Sequence, residues 1–149
     1  MIKQNGIGDS EMVDPLTCLA IAIYFEARGE PWIGQLAVGH VVMNRVEDSR
    51  YPDNICDVVK QGITFKWSDQ PLRNKCQFSF YCDGKSDEPI DLEAYQEARM
   101  FAYGAMHRRT KDPTNGATHY HADYVNPEWA ETKTYVVQIN QHIFYRWEK

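Results

Sequence analysis

The stretch IAIYFEARGEPWIGQLAVGHVVMNRV, residues 21–46, joins the end of one apolar helix to the start of another. Before it, Asp14 and Pro15 form a good helix start, because aspartate caps free backbone amides and proline suits the first helical position. Gly29 is a typical helix stop. Pro31 then opens a second helix that is apolar nearly all round. Two apolar helices in succession predict a helical core, with the second helix at its centre.

Glu26 interrupts the apolar face of the first helix. At about 100° per residue, one arc collects Glu26 together with Leu16, Leu19, Ala20, Ala22, Ile23 and Ala27. Thr17, Tyr24 and Arg28 fall on the opposite side. A carboxyl on an apolar face keeps its proton to higher pH, because burial penalises the charged form, and such a group can act as a general acid. The alternative is that Glu26 lies in a frayed last turn, where it reaches water or pairs with Arg28.

Length and composition bound the class of protein. The chain has 149 residues, of which 43% are hydrophobic and 25% charged, as expected for one soluble globular domain. The net charge of -5 argues against a nucleic-acid partner. Residues 1–13 lack the apolar core of a signal peptide, and no segment reaches the roughly 18 apolar residues of a membrane span. We expect a monomer made in the cytoplasm, without membrane insertion, with an extension over residues 1–14 and one domain over residues 15–149.

Four cysteines would permit two disulfides in three connectivities: Cys18, Cys56, Cys76 and Cys82. Without an export signal, reduced thiols are the default. We therefore favour buried small hydrophobes, or one bridge that forms late. The alternative is a metal site formed by Cys76 and Cys82 with His119 and His121, but the spacing of the two cysteines is wider than that of common zinc sites, so we expect no metal.

The remaining segments indicate a mainly helical α+β domain with a minor β element. A short helix should contain Ile55, Val58 and Val59, and residues 62–89 should be irregular or form short strands. A long helix is predicted from about Asp91 to Arg109, with its inward face formed by Leu92, Tyr95, Ala98, Ala102 and Met106. The sequence TYVVQINQHIFYRW predicts one or two strands near the end of the chain. His40 and Asn44 should be hydrogen-bonded polar groups of the core.

Three motifs, taken in order, resemble a known family. AIYFEARGEPWIGQLAVGHVVMNRV, CQFSFYCDG, and DPTNGATHYHADYVNPEW followed by HIFY together resemble the catalytic domain of the SleB/CwlJ-type cell wall hydrolases. That family includes spore-cortex-lytic enzymes and bacteriophage lysins, and the resemblance covers about Pro15 to Tyr145. It implies a lysozyme-like fold, similar to goose-type lysozyme and the lytic transglycosylases, with peptidoglycan as substrate and no metal or organic cofactor.

The resemblance also implies roles for particular residues. Glu26 would be the catalytic acid at the floor of a cleft. Glu30 is the rival acid, but it lies between Gly29 and Pro31, outside the apolar arc, so we favour a structural role for it, such as holding Arg28 or Arg45. Side chains of the second and third motifs are expected around the saccharide, with a structural role as the alternative for each of them: Gln77, Ser79, Phe80, Thr118, His119 and Tyr120. Alternation in extended segments would turn one set of these motifs to the cleft and the other to the core. The family usually has tryptophan where this chain has Phe80, so aromatic contact there would be altered.

A second carboxylate would decide the chemistry. Ordinary glycosidases need two carboxyl groups about 5 to 9 Å apart, but the first helix offers no partner for Glu26, and Asp83 looks like a turn residue. The resemblance then favours lytic transglycosylation, which forms 1,6-anhydro-muramic acid ends, over hydrolysis by a muramidase. The other classes considered are a non-catalytic peptidoglycan-binding module, a zinc amidase and a structural scaffold. The missing signal peptide suggests a phage lysin released by a holin.

Overall fold

The computed structural model describes residues 14–64, 71–83, 85–86 and 88–149. Its α-helices are α1 (Pro15–Ala27), α2 (Trp32–Val46), α3 (Ile55–Val59) and α4 (Leu92–Met106). Its strands are β1 (Gly62–Thr64), β2 (Pro71–Cys76), β3 (His119–Ala122), β4 (Thr134–Ile139) and β5 (His142–Arg146), with short 3-10 helices at Ser79–Cys82 and Glu128–Thr132. The predicted mainly helical α+β class is confirmed. Of the N-terminal extension predicted over residues 1–14, residues 1–13 lie outside the described residues, and Asp14 is described.

Helix α1 is buried on all sides. Every residue from Cys18 to Tyr24 is at most 1% exposed, because α2, α3 and α4 all pack against this helix. Tyr24 falls opposite the apolar arc in the sequence, yet it is buried as well, and its hydroxyl accepts the amide of Asp91 at 3.0 Å. A helix surrounded by others has no solvent face, so a one-sided apolar arc does not describe it.

Both ends of α1 are fixed by local chemistry. The Asp14 carboxylate accepts the backbone amide of Thr17 at 3.0 Å, which confirms the predicted cap. At the other end Gly29 has a φ of +88°, a left-handed conformation that favours glycine. The chain leaves the helix there, so Glu26 lies in the last turn of α1 and points away from the helix centre toward the neighbouring sheet.

A disulfide joins α1 to α3. It links Cys18 and Cys56, whose Cα atoms are 5.3 Å apart. For the two cysteines whose side chains the structure describes, the outcome is a bridge rather than buried thiols. The side chains of Cys76 and Cys82 lie outside the described part of the chain. The bridge ties the helix that carries Glu26 to a second element of the core.

The other two long helices follow the predicted pattern with one exception. In α2, His40 Nε2 bonds to the Thr110 hydroxyl at 2.9 Å and Asn44 donates to the Ala117 carbonyl at 2.9 Å, so both are satisfied polar groups as predicted. In α4 the buried face is formed by Tyr95, Ala98, Ala102 and Ala105. Leu92 was predicted to point inward but is 67% exposed, because it belongs to the first turn, at the edge of the core.

A three-stranded antiparallel sheet, in the order β3-β5-β4, packs against α2. Its second, smaller core contains Ala37 and Val41 of α2 together with Ala117, Ile139 and Phe144. Strands β4 and β5 confirm the predicted strands near the end of the chain. Tyr120 pairs with Phe144 of the central strand. Within the described residues, no helix has the length and apolar character needed to cross a membrane.

Candidate active site

A cavity of about 200 Å³ lies between the last turn of α1 and the sheet. The described residues that line it are Glu26, Arg45, Gln77, Phe78, His119, Tyr120 and Trp129. They come from α1, the end of α2, the segment after β2, strand β3 and the 3-10 helix at Glu128–Thr132. Five elements that are distant in sequence thus converge on one carboxyl group.

The surroundings of the Glu26 carboxyl favour its protonated form. Burial raises its pKa, while the hydrogen bond from Tyr120 and the nearby His142 and Arg45 oppose the rise without cancelling it. Arg28 is not its partner: it donates to the Tyr24 hydroxyl and lies 4.6 Å from the centre of that ring. The alternative of a frayed, solvated Glu26 paired with Arg28 is therefore wrong.

Tyr120 is the direct partner of Glu26. Its hydroxyl donates to Glu26 Oε1, and its ring packs 5.1 Å from His142 and 5.4 Å from Phe144. Burial, followed by the charge of Glu26, raises the Tyr120 pKa well above its usual range, so the hydroxyl stays protonated and remains a donor. Because Oε1 accepts this hydrogen bond, Oε2 is the oxygen left to carry the acidic proton of Glu26.

Arg45 brings a cation into the cavity wall. Its side chain is only 6% exposed, and its Nε donates to the backbone carbonyl of Thr118 at 2.8 Å. The guanidinium carbon lies 5.2 Å from the ring centre of Tyr51 and 5.3 Å from that of Phe78. The side chain is thus held by one hydrogen bond and two aromatic rings.

Glu30 has a structural position, but its partner differs from the prediction. Its Oε2 lies 3.1 Å from His142 Nδ1, rather than beside Arg28 or Arg45. The contact is possible because residue 34 is glycine: a Cβ atom there would lie 2.7 Å from Glu30 Oε1. The pair links the turn after α1 to strand β5. The sequence did not indicate it, because His142 is 112 positions away from Glu30 along the chain.

Three of the six predicted substrate-binding residues line the cavity: Gln77, His119 and Tyr120. Phe80 is not among its described lining residues. That ring is 6% exposed and stacks on Phe25 with centres 5.0 Å apart. The Ser79 side chain lies outside the described part of the chain. A core contact with Phe25 therefore accounts for Phe80 without a sugar.

Thr118 also lies behind the cavity wall. It is 4% exposed, its carbonyl binds Arg45, and its hydroxyl is 2.9 Å from His119 Nδ1. The expected alternation fails in both motifs, because neighbouring residues line the same cavity: Gln77 and Phe78 in one, His119 and Tyr120 in the other. In the first motif the chain bends and enters a 3-10 helix instead of continuing as a strand.

Aromatic rings pack around His119, and one of them, Trp129, lines the cavity with it. The imidazole centre lies 5.0 Å from Trp129 and 5.8 Å from Trp147. Burial, with Arg45 as the second cause, lowers the His119 pKa to about 4, so the ring is neutral near pH 7. A neutral imidazole among aromatic rings offers a sugar both a flat surface and a hydrogen-bonding nitrogen.

Three cavity residues were missed from the sequence: Arg45, Phe78 and Trp129. Trp129 stands in the quoted motif NPEW, and Arg45 interrupts an apolar helix just as Glu26 does. That second signal was available, because a charge in an apolar helix needs a partner or a function.

Within the described residues, no group of three or more His, Cys, Asp or Glu side chains is placed to hold a metal ion. Both ring nitrogens of His121 already have contacts, at 2.7 Å to the Ala122 carbonyl and 2.8 Å to the Tyr145 hydroxyl. His121 is therefore occupied by the sheet itself.

Comparison with known proteins agrees with the motifs. The model of the family described as Cell Wall Hydrolase matches residues 29–145. Among curated proteins, the spore cortex-lytic enzyme of Halalkalibacterium halodurans is 33% identical over 127 residues, covering 85% of this chain and 33% of the relative. That of Bacillus cereus is 28% identical over 143 residues, covering 95% of this chain and 48% of the relative. The chain thus spans a third to a half of the length of these relatives.

Two solved structures share the fold. The catalytic domain of the germination-specific lytic transglycosylase SleB from Bacillus anthracis superposes with a TM-score of 0.66 at 28% identity, covering 89% of this chain and 93% of that one. The catalytic domain of the Bacillus cereus SleB protein gives a TM-score of 0.61 at 24% identity, covering 96% and 94%. The predicted resemblance and the predicted lysozyme-like fold are confirmed.

Proposed function

The chain belongs to the cell wall hydrolase family, and from that premise we propose that it cleaves the glycan strand of peptidoglycan as a lytic transglycosylase. The observation that carries the proposal is Glu26: a carboxyl whose pKa is raised by burial, held by Tyr120 and facing a cavity. A carboxyl that keeps its proton near neutral pH can protonate a leaving glycosidic oxygen. The name of the Bacillus anthracis relative supports the same reaction class.

The proposed reaction uses Glu26 twice. In the first step the proton on Oε2 passes to the oxygen that joins muramic acid to the next sugar, and the bond from that oxygen to C1 breaks. In the second step the Glu26 carboxylate takes the proton of the C6 hydroxyl, and O6 bonds to C1 to close a 1,6-anhydro ring. No water is consumed, and Glu26 ends the cycle protonated. The Tyr120 hydroxyl holds Oε1 throughout and stabilises the carboxylate between the two steps.

Hydrolysis by a muramidase is the competing reaction. It needs a second carboxylate to activate water or to form a covalent intermediate, and Glu26 is the one carboxyl among the described lining residues. Asp83 accepts the backbone amide of Lys85 at 2.8 Å, as a turn residue does, and does not line the cavity. Glu30 lies beside His142 and is not among the described lining residues. The described carboxylates therefore favour the transglycosylase.

Two measurements test the proposal. Mass analysis of unreduced fragments from digested sacculi should find chiefly anhydro ends, which are one water lighter than reducing ends. A majority of reducing ends would show that the protein is a hydrolase instead. Replacement Glu26→Gln should lower wall clearing by about two orders of magnitude or more, since a general acid is lost. If Glu26→Gln cleared walls like the wild type, Glu26 would not be the acid. A binding module would keep its full effect in this variant.

The setting of the reaction is a further part of the proposal. A disulfide between Cys18 and Cys56 is typical of proteins that work outside the reducing cytoplasm, which supports action on the wall itself. Release by a phage holin stays a prediction without support from the relatives, which are spore cortex-lytic enzymes. We also propose that the protein is a monomer, which light scattering of the purified protein would test.

A further inference from the structure

Arg45 is a buried cation without an anionic partner among the described residues. Its Nε uses the Thr118 carbonyl, whereas its Nη1 is buried without a hydrogen-bond acceptor in the described part of the chain. Buried charges in proteins are ordinarily paired, because an unpaired one is costly to remove from water. Within the described residues, the hydrogen bonding of this guanidinium is therefore incomplete.

The position of Arg45 shows where the missing partner would come from. Arg45 lines the same cavity as Glu26, and it is the one arginine or lysine among the described lining residues. The rings of Tyr51 and Phe78 pack against the guanidinium, with centres 5.2 and 5.3 Å from its carbon, and its Nε is fixed by the Thr118 carbonyl. A donor held this way loses little freedom when it binds a ligand. The cavity therefore combines one proton donor with one fixed cationic hydrogen-bond donor.

We propose that Arg45 binds a carbonyl-type oxygen on a ring substituent of the sugar whose glycosidic oxygen Glu26 protonates. Guanidinium has donors and no acceptor, and its planar fork matches a carbonyl or carboxylate better than a hydroxyl. Muramic acid offers two such oxygens, the acetamido carbonyl on C2 and the lactyl group on C3. The inference rests on the proposed function and adds to it the substituent by which the substrate is held beside the acid.

The experiment measures binding by calorimetry in a Glu26→Gln background, so that no probe is consumed. The probes are an N-acetylglucosamine tetrasaccharide, its N-deacetylated counterpart, and a tetrasaccharide of alternating N-acetylglucosamine and muramic acid with free lactyl groups. Arg45→Gln should weaken binding by about 10- to 100-fold, as expected for loss of a hydrogen bond from a charged donor. The control Arg109→Gln removes an exposed arginine outside the cavity and should leave binding unchanged.

The three probes separate the two sources of the oxygen. If Arg45→Gln weakens binding of the acetylated tetrasaccharide but not of the deacetylated one, Arg45 binds the acetamido carbonyl. If the loss appears with the muramic acid probe alone, Arg45 binds the lactyl group. Equal affinities of the parent and Arg45→Gln for all three probes would overturn the inference and leave the proposed function in place.

Two further outcomes are decided in the same experiment. If Arg45→Gln does not fold, Arg45→Lys keeps the charge but loses the planar fork. If the affinity of Arg45→Lys for the probes is then lower than that of the parent by about fivefold or more, the inference is supported; unchanged affinity would overturn it. If the Glu26→Gln parent binds none of the probes and the wild type leaves sacculi intact, the proposed function fails and the inference falls with it.

Discussion

Replacing Tyr120 by phenylalanine should destabilise the protein in a pH-dependent way. The change removes one hydroxyl, which donates to Glu26 Oε1, and leaves the ring against His142 and Phe144. A hydrogen bond to a charged acceptor contributes about 1.5–3 kcal/mol, and one between neutral groups about 0.5–1.5 kcal/mol. The loss in free energy of unfolding should therefore be the larger figure where Glu26 is ionised and the smaller one where it is protonated.

The direction of this pH dependence follows from the hydrogen bond that Tyr120 donates to Glu26. That bond favours the carboxylate and so lowers the Glu26 pKa against the effect of burial. Tyr120→Phe should raise that pKa further, and the stability gap between wild type and variant should widen as pH rises. At about 2–4 °C per kcal/mol for a chain of this size, the melting temperature should fall by about 3–12 °C at the alkaline end. The alkaline limb of the wall-clearing profile should move to higher pH.

Thermal melts of both proteins from pH 4 to 8 measure the gap. The control is Tyr95→Phe, a Tyr→Phe change at a side chain that is 4% exposed and whose hydroxyl lies 3.4 Å from Arg99. Its effect should not vary with pH as that of Tyr120→Phe does. A gap for Tyr120→Phe that stays constant across the range would show that the hydroxyl does not distinguish the two forms of Glu26, and the description of the acid given above would be wrong.

Three other predictions test separate parts of the molecule. Burial raises the folded pKa of Glu26 above its unfolded value of about 4.3. Wild type should therefore gain stability relative to Glu26→Gln on acidification, and lose that gain as pH rises through the folded pKa. If denaturant titrations at several pH values gave a constant difference between the two proteins, Glu26 would be in water. Replacing Cys18 and Cys56 together by alanine should cost about 4 kcal/mol, from the chain entropy of a bridge spanning 38 residues, and a free energy of unfolding unchanged in urea would contradict it. Wall clearing should change by less than about twofold between 50 and 300 mM salt. Salt screens exposed charges within about 8 Å, but it does not screen a contact inside the cavity. A steep fall in activity with salt would indicate long-range electrostatic attraction of the substrate instead.

The sequence predicted the helices better than the surroundings of the catalytic acid. Caps and stops such as Asp14 and Gly29 act through neighbouring backbone atoms, so they can be identified locally, and the structure has both. The burial of Tyr24 depends on helices far along the chain, and no periodicity within α1 indicates it. The same limit explains Leu92, whose exposure is set by where α4 begins relative to the rest of the core.

The candidate site was predicted in part for a similar reason. Glu26 was identified because an acid among apolar residues is anomalous, and the same argument applied to Arg45 would have found the cation as well. The partners of Glu26 and Glu30 are 94 and 112 positions away along the chain. Side-chain alternation was the wrong guide for Phe78 and Phe80, since it holds along a straight strand and this segment turns.

The burial of the middle of α1 has a consequence during synthesis of the chain on the ribosome. From Cys18 to Tyr24 the helix has no side that suits water, yet α4, one of its three covering helices, ends 79 residues after α1 does, at Met106. At the usual 5–20 residues per second, roughly 4–16 s separate the synthesis of the two. During that interval the nascent segment exposes an apolar surface that it cannot cover itself. We expect chaperones at the ribosome to bind this segment. Overproduction should yield inclusion bodies when synthesis exceeds the capacity of these chaperones.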